Sequence, residues 1–277
     1  MTIALVTDST ADIPDHLLEK FKIHVVPNVL VIEGKSVLDG KEISREEYYN
    51  RLPQMRTLPT TATASAGTYQ ELYAGLLAQG ASNIISIHAS SLLSGIYGAA
   101  SAAAKEFGSQ VRVIDSEQVT LGLGYQVLAA AQAALQSAPL EAILSLVENV
   151  RQRVRVIAML DTLDYVRRSG RVSWARARVG SLLNLKPFVE VRNGLVLSLG
   201  EARTRRKGIE RLMELLLKLG PLEKLAILHT NAEADAHQFL AEVQMELSET
   251  PLVVNITTVI GTHTGPKGLG VAAVLRP

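Results

Sequence analysis

Cysteine is absent from all 277 residues, which excludes disulfides, thiolate catalysis, cysteine-held zinc and iron–sulfur clusters. A charge excess is missing as well. Lys plus Arg number 28 against 27 for Asp plus Glu, a net charge of +1, so no global field favours nucleic acid or an anionic membrane and any charged surface must be local. No run of about 20 apolar residues occurs, and the opening MTIALVTDST lacks a basic segment followed by an apolar run of signal-peptide length, so a cytoplasmic protein is expected. Low-complexity linkers and internal repeats are also absent. What is present is a globular composition, 47% hydrophobic and 20% charged, in a chain long enough for two domains with real cores.

The pattern is α/β. Short apolar runs at 3–6, 84–88 and 111–114 read as buried strands, each ending in a polar turn: Asp8-Ser9, Ser90-Ser91 and Asp115-Ser116. Between and after them, helical periodicity marks 15–21, 45–52, 66–79, 94–107, 126–136 and 140–153. Alternation of this kind predicts a largely parallel sheet covered by helices, with ligands collecting at the carboxyl ends of the strands. Past residue 153 the pattern changes to a strand at 154–160, a short helix at 161–169 and a hairpin, 186–192 with 195–200, turning at Asn193-Gly194. A helix at 206–219, a strand at 225–229, a helix at 234–247 and strands at 253–258 and 271–275 complete a mixed sheet. The expected division is therefore 1–153, an N-terminal α/β domain, and 154–277, a C-terminal one.

Self-sufficient catalytic signatures are missing. The turn from Gly261 to Lys267 is no phosphate loop, since Gly265 is followed by Pro266, which has no N–H to offer a phosphate. Gly122 and Gly124 form no GxGxxG, neither HExxH nor GxSxG occurs, and the six histidines have no ligand spacing. No metal site is expected. Hydroxyl-rich turns remain. Ser65 follows Thr61 and Thr63 and is placed to cap the helix at 66, a role that would equally explain it. Ser94 and Gly95 open the next helix, where free N–H groups suit an anion or simply a cap. Asp8 and Ser9 read as a turn or a site, and His263 as a histidine held in a glycine-rich turn. Arg167, Arg168, Arg171, Arg176, Arg178 and Lys186 form a run without acids, and Arg203, Arg205, Arg206 and Lys207 a second. Such runs are solvated faces or docking surfaces for an acidic partner.

Taken in order, ALVTDSTADIP, the threonine-rich loop, SSLLSGIYGAA, VIDSE, DYVRRSGRV with GSLLNLKPFVEV, ARTRRKGIERL and IGTHTGPKGLGV resemble the DegV family along essentially the whole chain. The resemblance implies two α/β domains with a lipid pocket between them. It also implies a long-chain fatty acid as ligand, no cofactor, and the role of fatty-acid-binding subunit to a separate ATP-binding fatty acid kinase, which phosphorylates the bound carboxylate for phospholipid synthesis. Thr61, Ser94 and His263 would hold the carboxylate. Ser65, Thr63, Gly95, Asp8, Ser9 and Arg171 would be additional contacts, and Arg203, Arg205 and Lys207 would dock the kinase. Ala62 and Ala64 depart from the serine and proline usual in the loop. Such a carrier is expected to be monomeric, to touch membranes transiently and to bind no nucleic acid. The competing reading is a serine hydrolase using Ser94, His263 and Asp8 on a lipid ester, recognisable only by geometry.

Overall fold

The computed structural model describes residues 2–172, 174–175, 185–247 and 249–277. Arg176 and Arg178 of the first basic run, and the start of GSLLNLKPFVEV, lie outside the described residues. The chain opens with β1 (Ile3–Asp8), a one-turn 3-10 helix (Ser9–Ala11), α1 (Asp15–Phe21), β2 (Ile23–Val26), β3 (Val29–Ile32), β4 (Lys35–Leu38), α2 (Arg45–Arg51) and β5 (Thr60–Ala62). It continues with α3 (Ala66–Ala78), β6 (Asn83–His88), α4 (Ile96–Ala104), β7 (Val111–Asp115), α5 (Leu121–Leu135) and α6 (Leu140–Arg153). Strands β2-β1-β6-β7 form a parallel sheet, and β4-β3-β5 a small antiparallel one. The central strands read as unbroken apolar runs because helices cover both faces of such a sheet.

The second half holds β8 (Val154–Met159), α7 (Asp164–Ser169), β9 (Lys186–Arg192), β10 (Leu195–Ala202), α8 (Arg205–Leu217), β11 (Leu222–His229), α9 (Glu233–Glu242), β12 (Leu252–Asn255), α10 (Thr258–Thr264) and β13 (Leu269–Leu275). Its sheet runs β10-β9-β8-β13-β11-β12 and is mixed, with β11 and β12 the parallel pair. Period-two alternation divides most buried residues of β8, β11 and β13 between two cores. Val154, Val156, Ala226, Leu228, Ala272 and Val274 join Val6, Ile85 and Leu121 of the first half in one cluster. Ile157, Met159, Leu225, Ile227 and Val271 pack instead with Leu212 and Leu216 of α8 and with Ala236 and Phe239 of α9.

The β9–β10 hairpin anchors one half on the other. Asn193 and Gly194 both take positive φ, 50° and 76°, as a tight hairpin turn requires. A Cβ at Gly194 would also stand 2.9 Å from Ser90 Oγ. The Ser90 hydroxyl donates to Gly194 O at 3.0 Å, and the Gly194 N–H to Glu117 O at 3.1 Å. This contact brings the mixed sheet over the carboxyl ends of the parallel strands.

Candidate binding site

A cavity with about 170 Å³ of room for the centres of water molecules lies where the two halves meet. Its walls are mostly aliphatic: Ala89, Leu93, Val156, Leu160, Val191 and Leu228 are among them. Thr61, Ser94, Arg171 and His263 also line it. Thr61, Ser94 and Arg171 face in addition a shallower groove at the surface, shared with Thr63, Gly95 and Leu92. The apolar chamber thus has a polar mouth.

Each mouth residue is held by its own element. Thr61 sits on β5, paired with Leu30 of β3. Ser94 lies in the loop after β6, its N–H bonded to Ser90 O at 3.0 Å and its hydroxyl accepting the Ile96 N–H at 3.3 Å at the entry to α4. His263 is on α10, not in a turn, which corrects the sequence reading. Glycine and threonine are weak helix formers, so tertiary contacts make this helix. The Thr257 hydroxyl caps Val259 N–H at 3.3 Å, and Asp39 accepts the hydroxyls of Thr257 and Thr258. Asp12 accepts Thr257 N–H at 2.7 Å, and the Tyr49 hydroxyl donates to Ile256 O and Thr257 O.

His263 Nε2 and Thr61 Oγ1 are 3.0 Å apart. Burial lowers the imidazole from 6.5 to about 4, with a smaller push from the Arg171 guanidinium, so the ring is neutral at pH 7. Two neutral hydroxyls, a neutral imidazole and one exposed arginine therefore surround the mouth. Such a set can orient a carboxylate without burying a bidentate ion pair.

The remaining sequence-chosen residues fall elsewhere. Ser65 is the N-cap of α3, accepting Thr68 N–H at 3.1 Å. Ser9 Oγ accepts the backbone N–H of Asn28 at 3.2 Å. Asp8 is fully buried and bonded to Thr10, Asn28, His88 and Ala89. None of these bonds reaches His263, so the Ser94–His263–Asp8 relay of a hydrolase is not assembled. Arg203 and Lys207 are exposed. Arg205 is instead tied to Asp235, to Asp161 at 3.5 Å and to Lys267 O at 2.7 Å. Sequence reasoning missed His88, whose Nδ1 lies 3.0 Å from Asp8 and whose Nε2 lies 2.7 Å from Ser86. It ends an apolar strand and meets a partner 80 positions away, which no local pattern signals. Among the described residues no cluster of three His, Asp or Glu side chains could hold a metal ion.

The family model described as "Uncharacterised protein, DegV family" matches residues 2–276. The chain belongs to the DegV family. A DegV domain-containing protein of Listeria monocytogenes is 34% identical over 97% of this chain and 96% of its own. Protein DegV of Bacillus subtilis is 33% identical over 98% of each chain. Among solved structures, a DegV family protein from Thermus thermophilus, described for its fatty acid binding, superposes with a TM-score of 0.91 at 32% identity over 100% of both chains. DegV of Bacillus subtilis, described as a fatty acid binding protein, gives 0.86 at 32% identity, again over 100% of both. These DegV structures share the α/β fold of this chain, with its parallel N-terminal and mixed C-terminal sheets.

Proposed function

We propose that this chain binds a long-chain fatty acid, with the tail in the cavity and the carboxylate at the mouth, and presents it to a separate ATP-dependent kinase subunit. The observation that carries this reading is the largely aliphatic chamber with Thr61, Ser94, a neutral His263 and the exposed Arg171 gathered at one mouth. The solved relatives described as fatty acid binding support it. Burying roughly 15 methylenes at ~0.8 kcal/mol each contributes on the order of 12 kcal/mol before ordering costs. The tail thus supplies most of the affinity, and the mouth supplies orientation. A carboxylate held by neutral donors keeps a lone pair available to attack the terminal phosphorus of ATP, releasing ADP and leaving an acyl phosphate. Arg203 and Lys207 are the exposed cations proposed to meet the kinase, whereas Arg205 already has internal partners.

Solvent extraction of the purified protein followed by mass spectrometry tests the ligand. One fatty acid per chain is expected, with loading reduced in Thr61→Ala and His263→Ala at an unchanged fold. Protein that carries none and captures none on incubation would sink the proposal. For the kinase arm, Arg203→Glu with Lys207→Glu should slow acyl-phosphate formation while loading stays intact. Unchanged phosphorylation would remove the docking role.

A further inference from the structure

Thr61 and Ser94 reach the mouth on separate pieces of structure. Thr61 rides on β5, held through β3, and Ser94 on the loop that follows β6. The relative placement of the two hydroxyls therefore depends on whatever joins those supports. Asp8 does. It ends β1, is 0% exposed, and its two oxygens take five donors. Oδ2 accepts the Ala89 N–H at 3.2 Å and His88 Nδ1 at 3.0 Å. Oδ1 accepts the Thr10 N–H at 3.0 Å, the Thr10 hydroxyl at 2.5 Å and Asn28 Nδ2 at 3.3 Å.

Each arm leads to the mouth. Ala89 lines the cavity and opens the loop in which Ser90 O accepts the N–H groups of Leu93 and Ser94, both at 3.0 Å. Asn28 lines the surface groove and immediately precedes β3, whose Leu30 pairs with Thr61. Thr10 is itself part of the cavity wall. We infer that Asp8 is a positioning residue, a buried brace that fixes the strand carrying Thr61 against the loop carrying Ser94. This rests on the carrier reading above.

The chemistry requires a carboxylate. Asp8 is acceptor-only, so both oxygens can face N–H and O–H donors at once. In Asp8→Asn one oxygen becomes NH2. Turned toward Ala89 it meets a backbone N–H, and turned toward Thr10 and Asn28 it meets donors as well. His88 can change tautomer to accept it, but the backbone N–H groups cannot. The Thr10 and Asn28 side chains can also turn to accept it, so what is lost in either orientation is the acceptor of one backbone N–H, that of Ala89 or that of Thr10.

The test compares hexadecanoic acid with 1-hexadecanol, ligands of equal tail and different head. A defect that merely loosens the fold lowers both affinities together, whereas displaced hydroxyls lower the acid-to-alcohol ratio. Asp8→Asn is expected to reduce that ratio roughly tenfold, the scale of one hydrogen bond to a charged group. Asn28→Ala, which cuts only the arm toward β3, should move it in the same direction and decides the matter if Asp8→Asn does not fold. Tyr73→Phe is the comparison, because it breaks only the 2.7 Å Tyr73–Ser86 bond at the far end of the His88 network. It should leave the ratio unchanged. An unmoved ratio in folded Asp8→Asn or Asn28→Ala, or an equal fall in Tyr73→Phe, overturns the inference alone. Wild-type protein that binds neither ligand overturns the carrier reading and this inference with it.

Discussion

Burial shifts the protonation of His263 at the mouth and of Asp12 at the entry to α10, and it acts on them in opposite directions. His263 falls from 6.5 to about 4 because its charged form is desolvated, with Arg171 adding repulsion. Asp12 rises from 3.8 to about 7, because desolvation outweighs the Arg45 guanidinium 3.2 Å away. Between pH 6.5 and 4 the unfolded chain binds the His263 proton and the folded one does not. That contribution to stability is therefore complete above 6.5 and is lost as pH falls toward 4. For Asp12 the folded state holds the extra proton between 3.8 and 7, so its contribution grows as pH falls through that window. His263→Gln removes the first effect and keeps the second. The variant should gain on wild type, by up to a few kcal/mol, when denaturant unfolding is moved from pH 7.5 to 5. A constant difference would show that the ring titrates normally. Ser94 and His263 stand out as candidates because a hydroxyl in the turn after a strand and a histidine between glycines contrast with an aliphatic background, whereas Thr61 is singled out by the resemblance of its threonine-rich loop to the DegV pattern. Asp8 was legible as important but not in its role, since its partners Asn28, His88 and Ala89 are neighbours only after the sheet forms.

At the scale of elements, α10 shows how tertiary packing overrides propensity. Its Gly261 has no room for a side chain, since a Cβ there would lie 2.2 Å from the Tyr49 hydroxyl and 2.4 Å from its ring. Tyr49 is 1% exposed and bonded to the backbone entering the helix, so it cannot swing aside without releasing that backbone. Gly261→Ala improves local helix propensity yet should destabilise the protein by about 1–3 kcal/mol through overpacking, read as a lower urea midpoint. It should also weaken ligand capture, because His263 lies two residues on. A neutral or stabilising outcome would mean that α10 moves freely. The same balance explains what the pattern concealed. Spans 15–21 and 140–153 coincide with helices, whose periodicity extends over enough residues to be counted. Strands β2 to β5 have three or four residues each, too few for alternation to be told from chance. They were missed, and with them the small sheet that carries Thr61.

For the whole molecule, the change of pattern at residue 153 marks a change of sheet, because every strand of the parallel and three-stranded sheets precedes it and every strand of the mixed sheet follows it. The hydrophobic core does not respect that division. Val154, Val156, Val191, Ala226, Leu228, Ala272 and Val274 share one cluster with Leu5, Val6, Ile84, Ile85, Leu121 and Leu123. Sequence could show that these strands are buried on both faces but not against what, which is why a boundary was legible and the shared core was not. Unfolding either half alone would expose apolar surface on the other, so the halves should unfold in a single cooperative transition with coincident fluorescence and circular-dichroism midpoints. The cavity lies within that joint, lined from both halves. Any ligand it holds therefore binds only the joined state and stabilises the entire chain. At a free concentration 100 times its Kd, a bound fatty acid should add about 2.7 kcal/mol, or roughly 5 °C in midpoint for a chain of this size. Both probes should shift together. Two separate transitions, or a shift confined to one of them, would mean that the halves fold independently and that the ligand is held by one of them alone.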